Sequence, residues 1–240
     1  MERPPDRPRI VAHRGYCKTH PENSLSAFRA AERAGCAWVE CDVQASADGV
    51  PIVIHDDTLD RTTSGAGPVS DKLCSDVSHL RLKFEDRLTG EPVPTLPRLL
   101  AALRPATGIL VELKPHDSPG LVRNVLKMLR AERRPWVLQS FDPANLLEVR
   151  ARDPGAPAAL LVEDAASLER AAGEAWAGVN ADHVLLNGRV VAALRARGMS
   201  VGAWTVNAAD DLRRVLALGP DWLITDEPVA ARELCGAACG

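Results

Sequence analysis

The chain has 240 residues, 46% of them apolar and 25% charged, an ordinary globular balance that excludes a disordered tract, a collagen-like repeat and a disulfide miniprotein. A net charge of −3 and a pI near 6.1 offer no basic field to a nucleic-acid backbone. No run approaches the ~18 apolar residues of a membrane span. The opening MERPPDRPRIV is charged and proline-rich with no apolar run after it, so no secretory signal is read. A cytoplasmic protein that binds neither nucleic acid nor, by stable insertion, a membrane is expected. Cys17, Cys36, Cys41, Cys74, Cys235 and Cys239 contain no CxxC pair and read as reduced thiols, not as a metal or disulfide framework.

Strand-like runs occur at Arg9–His13, Ala37–Val43, Pro51–His55, Gly108–Lys114, Trp136–Phe141, Ala158–Val162, His183–Asn187, Ser200–Thr205 and Trp222–Thr225. Helical patterns lie between most of them. Ser24–Ala34 comes first, with Asn23 as its expected N-cap and Gly35 as its stop. Leu121–Ala131, Asn145–Ala151, Ser167–Ala175, Arg189–Arg197 and Ala209–Leu218 follow, two of them closed by Gly198 and Gly219.

The second and third strands are separated only by Gln44 to Val50, too short for a parallel crossover, so they form a hairpin. Asp48-Gly49 is a two-residue turn signal, which would set Asp42 opposite His55. Removing the returning strand leaves eight βα units, the count that closes a (β/α)8 barrel. The alternative, an open doubly wound sheet, lacks a glycine-rich phosphate loop here. The expected organisation is one barrel domain over residues 1–240. Asp57–Pro94, the longest stretch without periodicity, is then a small insertion after the hairpin that extends strand 2.

Barrels carry their chemistry at the C-terminal ends of strands. Those ends hold His13-Arg14, Glu40 with Asp42, His55, Glu112 with Lys114, and later Phe141, Trp204 and Asp226. Glu40 and Asp42 stand two apart and share a face, leaving Cys41 and Val43 to point outward; Glu112 and Lys114 repeat the spacing. Any one of these carboxylates could equally be a salt-bridge partner. Three converging together favour a hard divalent cation, because oxygen-only ligands suit Mg²⁺ or Ca²⁺ and accept Mn²⁺. His13 and His55 flanking that cluster could exchange protons with a substrate, and Arg14 and Lys114 suit phosphate oxygens. His20, His79, His116 and His183 read as structural or surface residues. Trp204 reads as either a core filler or a wall for an apolar or polyol group.

At these residues the chain resembles the glycerophosphodiester phosphodiesterase family, in the form of its short bacterial members. AHRG at Ala12–Gly15, PENS at Pro21–Ser24, ECDVQ at Glu40–Gln44 and IHDDTLDRTT at Ile54–Thr63 carry the resemblance. VELK at Val111–Lys114, QSF at Gln139–Phe141, WTVN at Trp204–Asn207 and ITDEP at Ile224–Pro228 extend it in the family's order. The resemblance implies hydrolysis of small glycerophosphodiesters to glycerol 3-phosphate and an alcohol. Carried over by position, Glu40, Asp42 and Glu112 would ligate the metal and His13 and His55 would be the acid–base pair. Arg14 and Lys114 would hold phosphate, and Trp204 would line the glycerol pocket. Glu22 and Asp226 fit turn or supporting roles as well as direct ones. Two other readings compete. A lysophospholipase D-like enzyme, working on lipids through a cyclic phosphate, needs an apolar acyl surface that the Asp-, Arg- and Lys-rich insertion lacks. A barrel that binds a phosphorylated ligand without turnover has no need of both histidines.

Overall fold

The computed structural model describes residues 7–114, 120–174 and 176–237. His116, Cys239, the predicted helix end at Ala175 and the first six residues lie outside them. In chain order the elements are β1 (Arg9–Ala12), α1 (Leu25–Arg33), β2 (Trp38–Ala45), β3 (Pro51–Val53), α2 (Cys74–Val77), β4 (Arg81–Phe84), β5 (Arg87–Pro92), α3 (Leu96–Ala102) and β6 (Gly108–Leu113). There follow α4 (Leu121–Arg130), β7 (Trp136–Ser140), α5 (Pro143–Arg152), β8 (Ala158–Val162), α6 (Ala165–Gly173) and β9 (Gly178–Asp182). The remainder is α7 (Gly188–Ala196), β10 (Ser200–Trp204), α8 (Ala209–Leu218), β11 (Trp222–Thr225) and α9 (Pro228–Ala237). Strands β1, β2 and β6 to β11 pair in parallel, and β1 bonds to both β2 and β11, which closes an eight-stranded (β/α)8 barrel.

The pleat sorts the strands into two surfaces. Val39, Cys41 and Val43 of β2 and Ile109, Val111 and Leu113 of β6 face outward into a core shared with Phe28, Leu99, Val125 and Leu126 of the helices. Helix α4 buries Leu121, Val122, Val125, Leu126 and Leu129, the stripe a 3.6-residue period requires. Inside the barrel, Val11, Leu110 and Ile224 are buried with Trp222, and Trp38 packs edge-on against Trp222 at 4.7 Å between ring centres. Gly108 lies against the Trp38 ring; a Cβ there would fall 2.4 Å from it.

Three expectations are corrected. The sixth barrel strand is β9, not His183–Asn187. Gly178-Val179-Asn180-Ala181-Asp182 has little intrinsic strand preference, but its neighbours demand it. A Cβ on Gly178 would meet Ser200 Oγ at 2.2 Å, and Asn180 belongs to a polar layer inside the barrel. The apolar-looking His183–Leu185 forms a 3-10 turn on the surface, where Val184 is exposed. Second, Ser24, not Asn23, caps α1: its Oγ accepts from the Ala27 N–H at 3.0 Å, while Asn23 adopts φ +58°. Third, the hairpin turn holds three residues between Ser46 and Val50, with Gly49 at φ +74°, so Val43 pairs with Val53 and Asp42 lies opposite Ile54. His55 therefore does not face Asp42 across a ladder. The stretch Asp57–Pro94, read as an insertion without periodicity, contains α2 and the β4–β5 hairpin. Two helices without a predicted counterpart, α3 and α9, complete the ring.

Candidate active site

Strand register assembles the site. Asp42 pairs with Glu112 and Glu112 with Gln139 on adjoining strands, so their inward side chains meet at one level. Ligand oxygens of Glu40, Asp42 and Glu112 all lie within 4.8 Å of one another, and all three residues are buried. The β1–α1 loop crosses this cluster. Arg14 takes φ +52° and donates its backbone N–H to Glu40 Oε2 at 3.0 Å. Gly15, at φ +79°, lets the loop lie on α1, where a Cβ would meet the Ala27 backbone at 2.7 Å.

Two cations enter the cluster. Lys114 Nζ stands 2.9 Å from Asp42 Oδ1 and donates to Glu112 Oε1 at 2.5 Å. Arg14 Nε is 3.2 Å from Asp42 Oδ2. Burial works against the charge on both, but the surrounding carboxylates outweigh it and hold Arg14 and Lys114 firmly protonated. Burial likewise opposes ionisation of Asp42, yet Arg14 and Lys114 keep it well below the usual carboxylate range. Glu40 and Glu112 have no such surplus. Burial and the neighbouring carboxylates push both upward, Glu112 to about 7. If all three ionise, the buried carboxylates outnumber the two cations, and Asp42 Oδ1 accepts no well-directed hydrogen bond. The donor set is all oxygen, compact and short of positive charge, which fits a divalent cation.

Each imidazole is held by its own carboxylate. His13 Nδ1 lies 2.7 Å from Asp226 Oδ1. Asp226, whose burial is outweighed by bonds from His13, Cys17 and Asn207, is held well below its ordinary range and can only accept, so His13 carries its proton on Nδ1. Asn207 completes the support: its Nδ2 donates to Asp226 Oδ2 at 2.6 Å and its Oδ1 accepts the Asp226 N–H at 2.9 Å. On the other side His55 Nδ1 lies 2.8 Å from Asp56 Oδ1, and Arg61 forks between Asp56 and Glu22 at 2.6–2.9 Å. Glu22 also accepts from Arg14 Nη1 at 2.9 Å. Burial holds His55 below its ordinary value against the pull of Asp42. Gln44 Nε2 donates to the His55 carbonyl at 2.9 Å and to that of Asp56, fixing the chain where it leaves β3.

His13, Arg14, Glu40, His55, Glu112, Lys114 and Trp204 line a single pocket of about 250 Å³ at the C-terminal mouth of the barrel. Asp42 lies beneath them, tied by Asn23, whose Nδ2 donates to its Oδ2 at 2.7 Å. Trp204 packs edge-on against Phe141 at 5.3 Å and donates Nε1–H to the Asn180 carbonyl at 2.8 Å, so it is both barrel filler and pocket wall. All eight predicted site residues thus converge. The sequence reading did not single out Asn23, Gln44, Asp56, Arg61, Gln139 and Asn207 as site residues. Each is polar and lies in one of the motifs PENS, ECDVQ, IHDDTLDRTT, QSF and WTVN, and that position was the available signal.

Cations, a compact carboxylate nest and two oriented imidazoles in one barrel mouth suit cleavage of a phosphodiester. The model of the glycerophosphoryl diester phosphodiesterase family matches residues 13–230. The chain is 31% identical over 232 residues to a glycerophosphodiester phosphodiesterase of Caldanaerobacter subterraneus, covering 91% of this chain and 94% of that one. Its fold matches that of an Oleispira antarctica phosphodiesterase in complex with the product sn-glycerol-3-phosphate. There the TM-score is 0.87 at 26% identity, over 96% of this chain and 97% of that one. A glycerophosphodiester phosphodiesterase of Agrobacterium tumefaciens matches with a TM-score of 0.79 at 28% identity, over 94% and 99% of the two chains. The chain belongs to the glycerophosphoryl diester phosphodiesterase family, a family of phosphoric diester hydrolases. Among the described residues, no helix is long and apolar enough to cross a membrane.

Proposed function

We propose that this chain hydrolyses small glycerophosphodiesters, such as glycerophosphocholine or glycerophosphoethanolamine, to glycerol 3-phosphate and the head-group alcohol. The observation that carries this reading is the presence of two carboxylate-held imidazoles, His13 and His55, in the same pocket as Arg14 and Lys114. Arg14 offers a planar fork and Lys114 a point charge to the phosphoryl oxygens. With Nδ1 of each ring committed to Asp226 or Asp56, Nε2 is left for proton transfer, one ring accepting from the attacking oxygen and the other donating to the departing one. Trp204 and Phe141 supply an apolar wall for the glycerol carbons. Glu40, Asp42 and Glu112 would hold one divalent cation, Mg²⁺ or Ca²⁺ with Mn²⁺ also accepted, which supplies charge neutralisation at the phosphoryl oxygens.

The test is release of glycerol 3-phosphate from glycerophosphocholine by purified protein. Turnover should stop on exhaustive chelation and return with a divalent ion; full activity after chelation rejects the cation. Hydrolysis of lysophospholipid at a comparable rate would reject the preference for deacylated substrates.

A further inference from the structure

Asp226 has a second suitor besides His13. Cys17 Sγ donates to the same oxygen, Oδ1, at 3.1 Å, so one carboxylate oxygen gathers an imidazole and a thiol. Ligand atoms of His13, Cys17 and Asp226 lie within 4.8 Å of one another, and none of the three residues is sealed off from solvent. The loop that carries Cys17 is pinned beside Asp226 by Lys18, whose Nζ lies 3.2 Å from Glu227 Oε1. Nitrogen, sulfur and oxygen donors in one cluster match the ligands of zinc and its soft neighbours, not those of Mg²⁺ or Ca²⁺. Tetrahedral bond lengths of ~2.0–2.3 Å separate neighbouring ligand atoms by about 3.3–3.7 Å, so the cluster need open by only about half an ångström.

We propose that His13, Cys17 and Asp226 form a second cation site, selective for thiophilic divalent ions such as Zn²⁺, whose occupancy switches the enzyme off. It rests on the proposed role of His13 only for its effect on turnover. On binding, the thiol proton leaves to solvent and the sulfur becomes a ligand. The ion takes His13 Nδ1, and the imidazole proton passes to Nε2. The ring then has no free nitrogen with which to accept a proton in the pocket. Asp226 loses its hydrogen bonds to His13 and Cys17 but keeps Asn207 on Oδ2. The carboxylate nest of Glu40, Asp42 and Glu112 holds no sulfur, so a hard ion there and a soft ion at Cys17 do not compete for ligands.

The reduced full-length protein is titrated with Co²⁺, with no substrate present. A near-ultraviolet sulfur-to-cobalt charge-transfer band is expected, bleached by Zn²⁺ and missing in Cys17→Ser and Cys17→Ala. Zn²⁺ at the bleaching concentration, with Mg²⁺ saturating, should lower wild-type turnover about a hundred-fold, the scale of a lost acid–base group. Each Cys17 variant, compared with its own zinc-free rate, should resist. Absence of the band from wild type overturns the site. So does a band that survives in the Cys17 variants, or equal inhibition of wild type and variants. Because the band is read without turnover, failure of the hydrolase reading would be seen separately.

Discussion

The floor and the mouth of this barrel are built from the same strands by opposite physics. At the floor, Trp38 and Trp222 meet edge to face, Arg9 stacks over Trp222 at 4.8 Å and Gly108 makes room for the Trp38 ring. Apolar area leaves water there, and the geometry is one of shape. At the mouth the inward positions of β2 and β6 become Glu40, Asp42, Glu112 and Lys114, buried charges that must be paired to be tolerated. Between them lies a neutral polar layer, in which Asn180 donates to Gln139 at 2.8 Å and Gln139 reaches Glu40. Stability and reactivity are thus segregated along each strand, and the comparison can be broken by variants that mix them.

The largest effect is expected at the mouth. His13→Ala and His55→Ala should each lower kcat/KM by about 10²–10⁴-fold with an unchanged melting temperature; near-wild-type turnover in either removes that residue from the mechanism. Next, Glu112→Gln should raise the melting temperature of the chelated protein by removing one of three mutually repelling buried carboxylates. It should also erase the rise of about 5 °C or more expected for the wild type with a saturating divalent ion. A lower melting temperature in the variant would mean that Lys114 alone already balances the nest. At the floor the sign of the distinction reverses. Gly108→Ala should destabilise by about 2 kcal/mol, measured by denaturant midpoint, while the folded fraction keeps its kcat. The smallest effect belongs to the supports. Asn207→Ala removes one hydrogen bond to a charged group, so a loss of about ten-fold in kcat is expected, with KM little changed.

The barrel and the shared face of its acidic strand positions were legible in the sequence because both rest on short-range periodicity. An i, i+2 spacing fixes which side chains of β2 share a face, whatever surrounds them, so Glu40 with Asp42 could be read directly. What depends on a neighbour's shape was not legible. Gly178 and Asn180 look unlike a strand until Ser200 and Gln139 are in place. The hairpin register hinged on one extra turn residue, and the slip was harmless because β3 ends at Val53, leaving His55 to be steered by Gln44 instead of a ladder partner. The charge relay Glu22–Arg61–Asp56 crosses 39 positions at one of its bonds, beyond the reach of any local pattern.

The contact between His13 and Asp226 joins the first barrel strand to the last across 213 positions. A chain emerging from the ribosome would hold both imidazoles, Arg14 and all three carboxylates of the nest long before that partner exists. On the proposed mechanism the acid–base pair is therefore complete only when the cylinder shuts, since His55 has Asp56 beside it in sequence but His13 must wait for Asp226. Under that reading, barrel closure and completion of the site are one event.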